Sequence, residues 1–563
     1  RSPHTIFDGI SDLPPAHYLL MKDGQLDLQP YWSIDFTAGP IERRTPDDML
    51  DEFEQLLIDA TLIRLRADVP VGAYLSGGLD SSATTAIIRR HTRNRLDTFS
   101  IAFDDPQFDE RAFQQRMADQ LGTDHHSLTC THADIGRVFP DVIWHTETPL
   151  LRTAPAPMFM LSQLVRDHGF KVVMTGEGAD ELLGGYDLFK EMAIRRFWAR
   201  QPDSTLRPLL LRRLYPEIAQ LGRVNAAYLT AFFKRQLTDV DAPFYSHLLR
   251  WANTARLQRF LTQPAAAHLE DELVPRPARF DRWTPLAKAQ YLEIVTFMSP
   301  YLLSSQGDRM AMAHSVEGRY PFLDYRVAEF CARLPDTLKL RGLREKWLLR
   351  RLGQRYLPPD IWQRRKRPYR APIQRSFFPA RGPAPDYVAE CLSEHAVRDA
   401  GFFDATMVAA LARKAAGDAP LSEVEEMAVV GVLTTQLIHE LYVRSFRTRS
   451  AAEDEESLQL FLATYYGPDR PPPPRIYLGS VPDRAEELLR ESEEKYRTLV
   501  ENSHDLVCIY RGNRCIFANR RVLEVTGYTE DEIAEMDIFS VVHPDDYDRL
   551  RDYGAKRMKG QEA

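Results

Sequence analysis

Ser76-Gly77-Gly78-Leu79-Asp80-Ser81-Ser82 joins a short apolar run, Val69 to Leu75, to a segment of helical spacing that reaches Arg90. The order is strand, glycine turn, helix start. Gly77 and Gly78 have no Cβ, so their backbone N–H groups can come close to an anion. The first turn of a helix adds unpaired N–H donors and the positive end of its dipole. Ser76, Ser81 and Ser82 bring hydroxyl donors to the same point. Asp80 would repel a phosphate directly but can hold a magnesium ion that touches one. The stretch is not a Walker loop, because no lysine stands at the helix start. A phosphate-gripping loop at the end of a sheet strand is expected.

The neighbouring segments set this loop in an α/β chain. Upstream, Thr45, Pro46 and Asp48 form a helix start of the capping-box kind, followed by Met49, Phe53, Leu56, Leu57, Ala60 and Ile63 at helical spacing. Downstream, Thr98 to Phe103 alternates in period two and Val172 to Met174 is continuously apolar, each ahead of a helix-like segment. Strands alternating with helices predict a parallel sheet flanked by helices. The third strand ends in Thr175-Gly176-Glu177-Gly178-Ala179-Asp180-Glu181, then Gly184-Gly185-Tyr186. Strand C-termini are where such sheets bind ligands. Crowded carboxylates on one loop repel unless they share a cation, so Asp180 is expected to be a second metal ligand opposite Asp80. Gly176-Glu177-Gly178 is not a dinucleotide fingerprint, since Glu181 stands where the third glycine belongs. Arg195 to Leu441 reads as mostly helical, giving a helical C-terminal half.

Composition narrows the function classes. The chain has 563 residues, 44% hydrophobic and 27% charged, with 72 Lys and Arg against 80 Asp and Glu and a formal net charge of −8. That balance argues against a dedicated nucleic-acid binder. Without an 18-residue apolar run or a basic-then-apolar leader, neither a membrane partner nor secretion is expected. Five cysteines (Cys130, Cys331, Cys391, Cys508, Cys515) lack zinc spacing, which points to a reducing, cytoplasmic setting. The adjacent pair His125-His126 would point apart on an extended segment and is not expected to bind metal.

Three motifs in order carry a resemblance: the Ser76–Ser82 loop, Gly176 to Glu181, and Asp308-Arg309-Met310 through Val316-Glu317-Gly318-Arg319-Tyr320-Pro321-Phe322-Leu323-Asp324. The first resembles the pyrophosphatase loop of the N-type ATP pyrophosphatases, with an adenine nucleotide alpha hydrolase-like fold. Together, over residues 40 to about 445, they resemble glutamine-hydrolysing asparagine synthetase. The resemblance implies ATP and Mg2+ as cofactors, and aspartate and ammonia as partners. ATP would adenylate the β-carboxylate of aspartate, pyrophosphate would leave, and ammonia would attack the acyl-adenylate. It also leaves room for a homodimer.

By the same resemblance Leu75, Ser76, Gly77, Gly78, Asp80, Ser81, Ser82, Ile101, Phe103, Thr175 and Gly176 line the ATP site, and Asp80 and Asp180 hold the metal. Glu177 matches a glutamate linked to acyl-adenylate formation. Lys346 and Lys366 fall at late cationic positions near the phosphates or the intermediate. Arg309, Glu317, Arg319 and Asp324 are candidates for catalysis or for holding substrate. Each has a plainer alternative: an ion-pair network for Arg309, Glu317 and Arg319, a turn or cap for Asp324, and a solvated basic run for Arg364-Arg365-Lys366-Arg367. Relatives that close β-lactam or lasso-peptide rings, or amidate other acids, use the same adenylation machinery.

The organisation expected is 1–36 as the remnant of a class II glutaminase domain, 37–447 as the synthetase, 448–482 as a linker and 483–563 as a partial PAS domain. Residues 1–36 look like that first domain's closing hairpin, with strand-like His17 to Leu20 and turns at Leu13-Pro14-Pro15 and Asp23-Gly24. No cysteine precedes Cys130, so no glutaminase nucleophile, and no glutaminase activity, is expected in this chain. Leu499-Val500-Glu501-Asn502-Ser503, Phe517-Ala518-Asn519, Gly527-Tyr528-Thr529 and His543-Pro544-Asp545-Asp546 resemble the first half of a PAS sensor. Leu506 to Tyr510 and Arg514 to Ala518 would be its strands. Two strands alone are marginal, so a stable ligand-binding core is not expected there.

Overall fold

Thr45 opens α1 (Pro46–Ile63) as a reciprocal cap: its hydroxyl accepts from Asp48 N at 3.2 Å, and the Asp48 carboxylate accepts from Thr45 N at 2.9 Å. The computed structural model describes residues 2–446, apart from 23–24, 37–43, 94, 216–222, 264–273 and 368. Further on it describes 508–511, 514–518, 529 and 532–533. Contacts divide the chain into two units, 1–455 and 456–563.

The first unit is built on five strands, β3 (Val71–Tyr74), β4 (Asp97–Phe103), β5 (Asp124–Cys130), β6 (Val172–Met174) and β7 (Glu317–Arg319). They lie in the order β5-β4-β3-β6-β7 and every neighbouring pair is parallel. This is the α/β sheet expected, with two edge strands the hydrophobic pattern did not announce. β5 is a half-exposed polar edge, and β7 is too short to carry a period. α2 (Leu79–His91) follows β3, α3 (Arg111–Leu121) follows β4, α4 (His132–Thr146) and α5 (Pro155–Asp167) follow β5, and α6 (Ala179–Leu183) follows β6.

The two faces have different cores. Leu50, Phe53 and Leu57 of α1, Ala83 and Ile87 of α2, Met117 of α3 and Leu348, Leu349 and Leu352 of the helix Trp347–Tyr356 form one cluster. Phe99 of β4 and Val173 of β6 turn the other way onto Leu161 and Val165 of α5. β4 alternates as read, yet every residue in it is buried. Its alternation separates two neighbours rather than core from water. Thr98 and Ser100 hydrogen-bond Thr123 (2.8 Å) and Gln114 (3.0 Å), while Phe99, Ile101 and Phe103 pack against helices.

β1 (His17–Lys22) and β2 (Gln25–Pro30) form an antiparallel hairpin whose Leu19, Met21, Leu26 and Leu28 are exposed. Ile34 and Phe36 beyond it are buried in the α1–α3 cluster. The rest of the unit is helical, as expected. None of its described helices is long and apolar enough to cross a membrane.

In the second unit β8 (Cys508–Arg511) and β9 (Arg514–Ala518) pair antiparallel, close to the two strands read from sequence. Thr529 N donates to Glu532 Oε2 at 2.8 Å, and Ile533 N donates to Thr529 O at 3.0 Å. The expected linker 448–482 and most of the PAS-like motif residues lie outside the described residues.

Candidate active site

The loop after β3 closes on itself through serine hydroxyls. Ser76 Oγ lies 2.9 Å from Ser81 Oγ, Ser76 N donates to Ser81 Oγ at 3.2 Å, and Gly78 N donates to Ser76 Oγ at 3.3 Å. Gly77 has φ +69°, and a Cβ there would meet the Phe113 backbone at 2.6 Å, so only glycine lets the loop lie this close to α3. A Cβ on Gly176 would stand 2.9 Å from Ser81 N. The glycine-rich turns after β3 and β6 therefore touch, and their carboxylates face one space.

Two lysines from distant sequence fill it. Lys346 Nζ lies 2.6 Å from Asp80 Oδ2 and 2.6 Å from Asp180 Oδ1, and Lys366 Nζ lies 2.7 Å from Asp180 Oδ2. Lys346 is 2% exposed and holds φ +50°, a left-handed conformation that lysine rarely adopts. Such strain persists where the surroundings impose it. Here Lys346 N donates to Leu183 O at 3.2 Å, and the helix Trp347–Tyr356 starts at once. Neighbouring Glu345, also buried, is paired with Lys190 at 2.8 Å and with Arg350, and it accepts from Lys366 N at 3.4 Å. Burial would raise the Glu345 carboxyl, but Lys190 and Arg350 hold it at about 2. One buried carboxylate thus braces both lysine positions.

The crowded acids resolve their repulsion in two ways. Burial acts to raise Asp180, and the Lys346 and Lys366 ammonium groups overcome it, so Asp180 stays ionised. Burial pushes Glu177 up to about 7, only partly opposed by Lys366. Glu181, 1% exposed, is likewise raised by burial and by the Asp180 charge. Tyr186 donates to Glu181 Oε1 at 2.6 Å, while Gln290 Nε2 donates to the Glu181 and Leu182 carbonyls at 2.6 and 2.8 Å. Asp80 Oδ1, Ser82 Oγ and Glu181 Oε2 are buried without a hydrogen-bond partner.

Of the other residues singled out in the sequence, Leu75, Ile101 and Phe103 are buried at strand ends. Thr175 N donates to Arg319 O at 2.9 Å. Four candidates have partners outside the aspartate–lysine cluster. Arg309 is paired with Glu147 at 2.5 Å and donates to His145 O at 3.2 Å. Glu317 and Arg319 pair with each other at 2.7 Å, and Arg319 also ties down the Arg64 and Arg66 carbonyls beyond α1. Arg309 is not in that pair, so the three do not make one network. Asp324 caps the helix Tyr325–Arg333 and binds Arg64 (2.8 Å) and Arg326 (2.9 Å). His125 and His126 turn to different partners, Ser100 and Thr98 for one and Asp97 for the other.

Sequence reasoning passed over Glu345, Arg364, Tyr186 and Gln290. Glu345 stands beside Lys346, and Arg364 begins the basic run that holds Lys366, so each adjoined a residue already singled out. Tyr186 closes the Gly184-Gly185-Tyr186 stretch after the third strand, and only Gln290 carried no local signal.

Comparison with known proteins adds a family and relatives. The family model described as asparagine synthase matches residues 52–440, and a PAS domain model matches 494–559. The chain is 28% identical over 438 residues to amidase chry2 of Gibberella zeae, covering 71% of this chain and 64% of that protein. It is 29% identical over 435 residues to amidase chyE of Penicillium rubens, with the same shares. It is also 29% identical over 388 residues to asparagine synthetase [glutamine-hydrolyzing] 3 of Bacillus subtilis, covering 66% of this chain and 56% of that one. The chain thus spans less than two thirds of the length of these relatives.

Proposed function

Because the chain belongs to the asparagine synthase family, we propose that it is an ATP-dependent amide-forming ligase. It adenylates the β-carboxylate of aspartate and passes the acyl group to ammonia, yielding asparagine, AMP and pyrophosphate. The observation that carries the reading is the convergence of Asp80 and Asp180 on one buried lysine beside the Ser76–Ser82 loop.

Each residue has a role in that chemistry. Attack on the α-phosphate makes pyrophosphate the leaving group, and its charge needs fixed donors. The Gly77–Gly78 amides, the serine hydroxyls and the start of α2 supply them. Lys346 and Lys366 add positive charge at the same place. Glu177, near neutrality at about 7, is suited to take a proton from the attacking ammonia.

A magnesium ion fits this donor set. Asp80 Oδ1 is a buried carboxylate oxygen without a hydrogen-bond partner, and Asp180 meets the same Lys346 ammonium that Asp80 does, so the two carboxylates stand side by side. Among the described residues no group of three or more His, Cys, Asp or Glu could hold a metal alone. Magnesium commonly takes one or two carboxylates with phosphate oxygens and water. Asp80 and Asp180 would hold it, and it would supply charge neutralisation on the phosphates.

Glutamine is the source of ammonia in this reading, through a glutaminase domain of which 1–36 is the closing hairpin. The apolar residues exposed on both strands of that hairpin support this. Buried free thiols at Cys130, Cys331 and Cys391 suit a cytoplasmic location. A homodimer completes the proposal. A second reading, another carboxylate as acceptor, is favoured by the two relatives named amidases.

Pyrophosphate release with ATP, Mg2+ and ammonium, across aspartate and a panel of other acids, tests both readings. Release dependent on aspartate supports the first and release with another acid the second. No acid-dependent release at all would mean a silent domain serving a signalling protein.

A further inference from the structure

Arg364 opens the basic run that continues through Lys366, and it faces inward. Its side chain is 13% exposed. The guanidinium stacks on Phe113, 3.7 Å from the ring centroid, pairs with Glu110, and donates to Gly77 O at 3.3 Å. Glu110 and Phe113 belong to the start of α3, the same backbone that Gly77 abuts. Loop, arginine and helix start thus form one packed unit.

The carbonyl of Gly77 and the N–H of Gly78 belong to one trans peptide and point in opposite directions. With the carbonyl turned out to Arg364, the Gly78 N–H turns inward to Ser76 Oγ, in the space ringed by the loop hydroxyls. Flipping this peptide would change ψ of Gly77 and φ of Gly78, and glycine permits both orientations at little steric cost. A Gly-Gly peptide therefore needs an outside contact to choose its direction, and among its described contacts Arg364 is the charged one.

We propose that Arg364 is a positioning residue for the nucleotide loop, locking the Gly77–Gly78 peptide with the Gly78 N–H turned in to grip the departing pyrophosphate. The inference rests on the ligase reading above and deepens it. Arg364 touches no reacting atom in this account and acts through the peptide. Its ring stacking and its Glu110 partner make it rigid enough to do so. Lys366, two residues on, reaches Asp180 from the same segment, so the loop and the lysine are held from one stretch of chain.

The test is calorimetric titration of the whole chain with magnesium pyrophosphate and, separately, with AMP, which lacks the β and γ phosphates. The proteins are wild type, Arg364→Gln and Arg364→Lys. Loss of a hydrogen bond to a charged group predicts pyrophosphate binding about ten- to a hundredfold weaker in Arg364→Gln, with AMP affinity unchanged. Arg364→Lys, which keeps a donor but not the planar stack, should fall between, and it carries the test if Arg364→Gln does not fold. Pyrophosphate affinity within about twofold of wild type in both variants would overturn the assignment, since that is less than one such bond contributes. Equal weakening of AMP and pyrophosphate would also overturn it, as a general structural effect. Wild type that binds neither compound would overturn the ligase reading itself, and this inference with it.

Discussion

The Lys346 ammonium stands 2.6 Å from Asp80 and 2.6 Å from Asp180, carboxylates that follow two different strands of the sheet. Such a bridge joins the β3 and β6 turns electrostatically, at a site where the chain holds Lys346 in a strained conformation. Buried charges require partners, so the lysine serves the fold, and under the proposed ligase reading it serves the chemistry as well.

Lys346→Met separates these roles. With buried Asp180 and half-buried Asp80 left short of a cation, stability should drop by about 3–5 kcal/mol. Acid-dependent pyrophosphate release should fall about 10²–10³-fold from the lost electrostatic contact. Denaturant melts in metal-free buffer and a coupled pyrophosphate assay measure the two.

Asp80→Asn should lose about 10²–10³ in the same rate but far less stability, because Lys346 keeps Asp180 as its partner. A variant within about tenfold of wild type, well short of that loss, would remove Asp80 from the phosphate chemistry.

Glu177 gives a pH signature. Its folded value is about 7 against an ordinary 4.5. The folded protein holds this proton more tightly than the unfolded chain does. The resulting stability is fully present below about 4.5 and is lost as pH rises through about 7. Glu177→Gln carries no such proton, so its Tm relative to wild type should improve from about pH 5 to about pH 8. A difference constant across that range would show that the carboxyl is not held protonated.

Glu345 should behave in the opposite sense. Lys190 and Arg350 hold its folded value at about 2, below the ordinary 4.5, so its stabilisation is present above about 4.5 and is lost as pH falls toward 2. Glu345→Gln should cost about 3–5 kcal/mol at neutral pH by leaving buried cations uncompensated. The gap to wild type should narrow in acid, as read by urea melts at several pH values.

The strand–loop–helix around Ser76 to Ser82 was legible because local chemistry decides it: apolar run, two glycines, hydroxyls, then helical spacing. Thr45 and Asp48 were legible for the same reason, since a cap forms within four residues. The strands β5 and β7 were not, because an edge strand needs no continuous apolar pattern and its place is set by its neighbour's hydrogen bonds. Sequence order could nominate Lys346 and Lys366 by motif, but only the folded chain brings them to Asp80 and Asp180, and only there does burial, helped by the Asp180 and Asp80 charges, raise Glu177 while the two lysines keep Asp180 charged. Likewise, a run of four cations reads as a solvated face until packing turns Arg364 onto Phe113 and Gly77. Residue identity determined which groups could meet a phosphate. Tertiary structure decided which of them share a desolvated space, and the strength of charge interactions depends on that space.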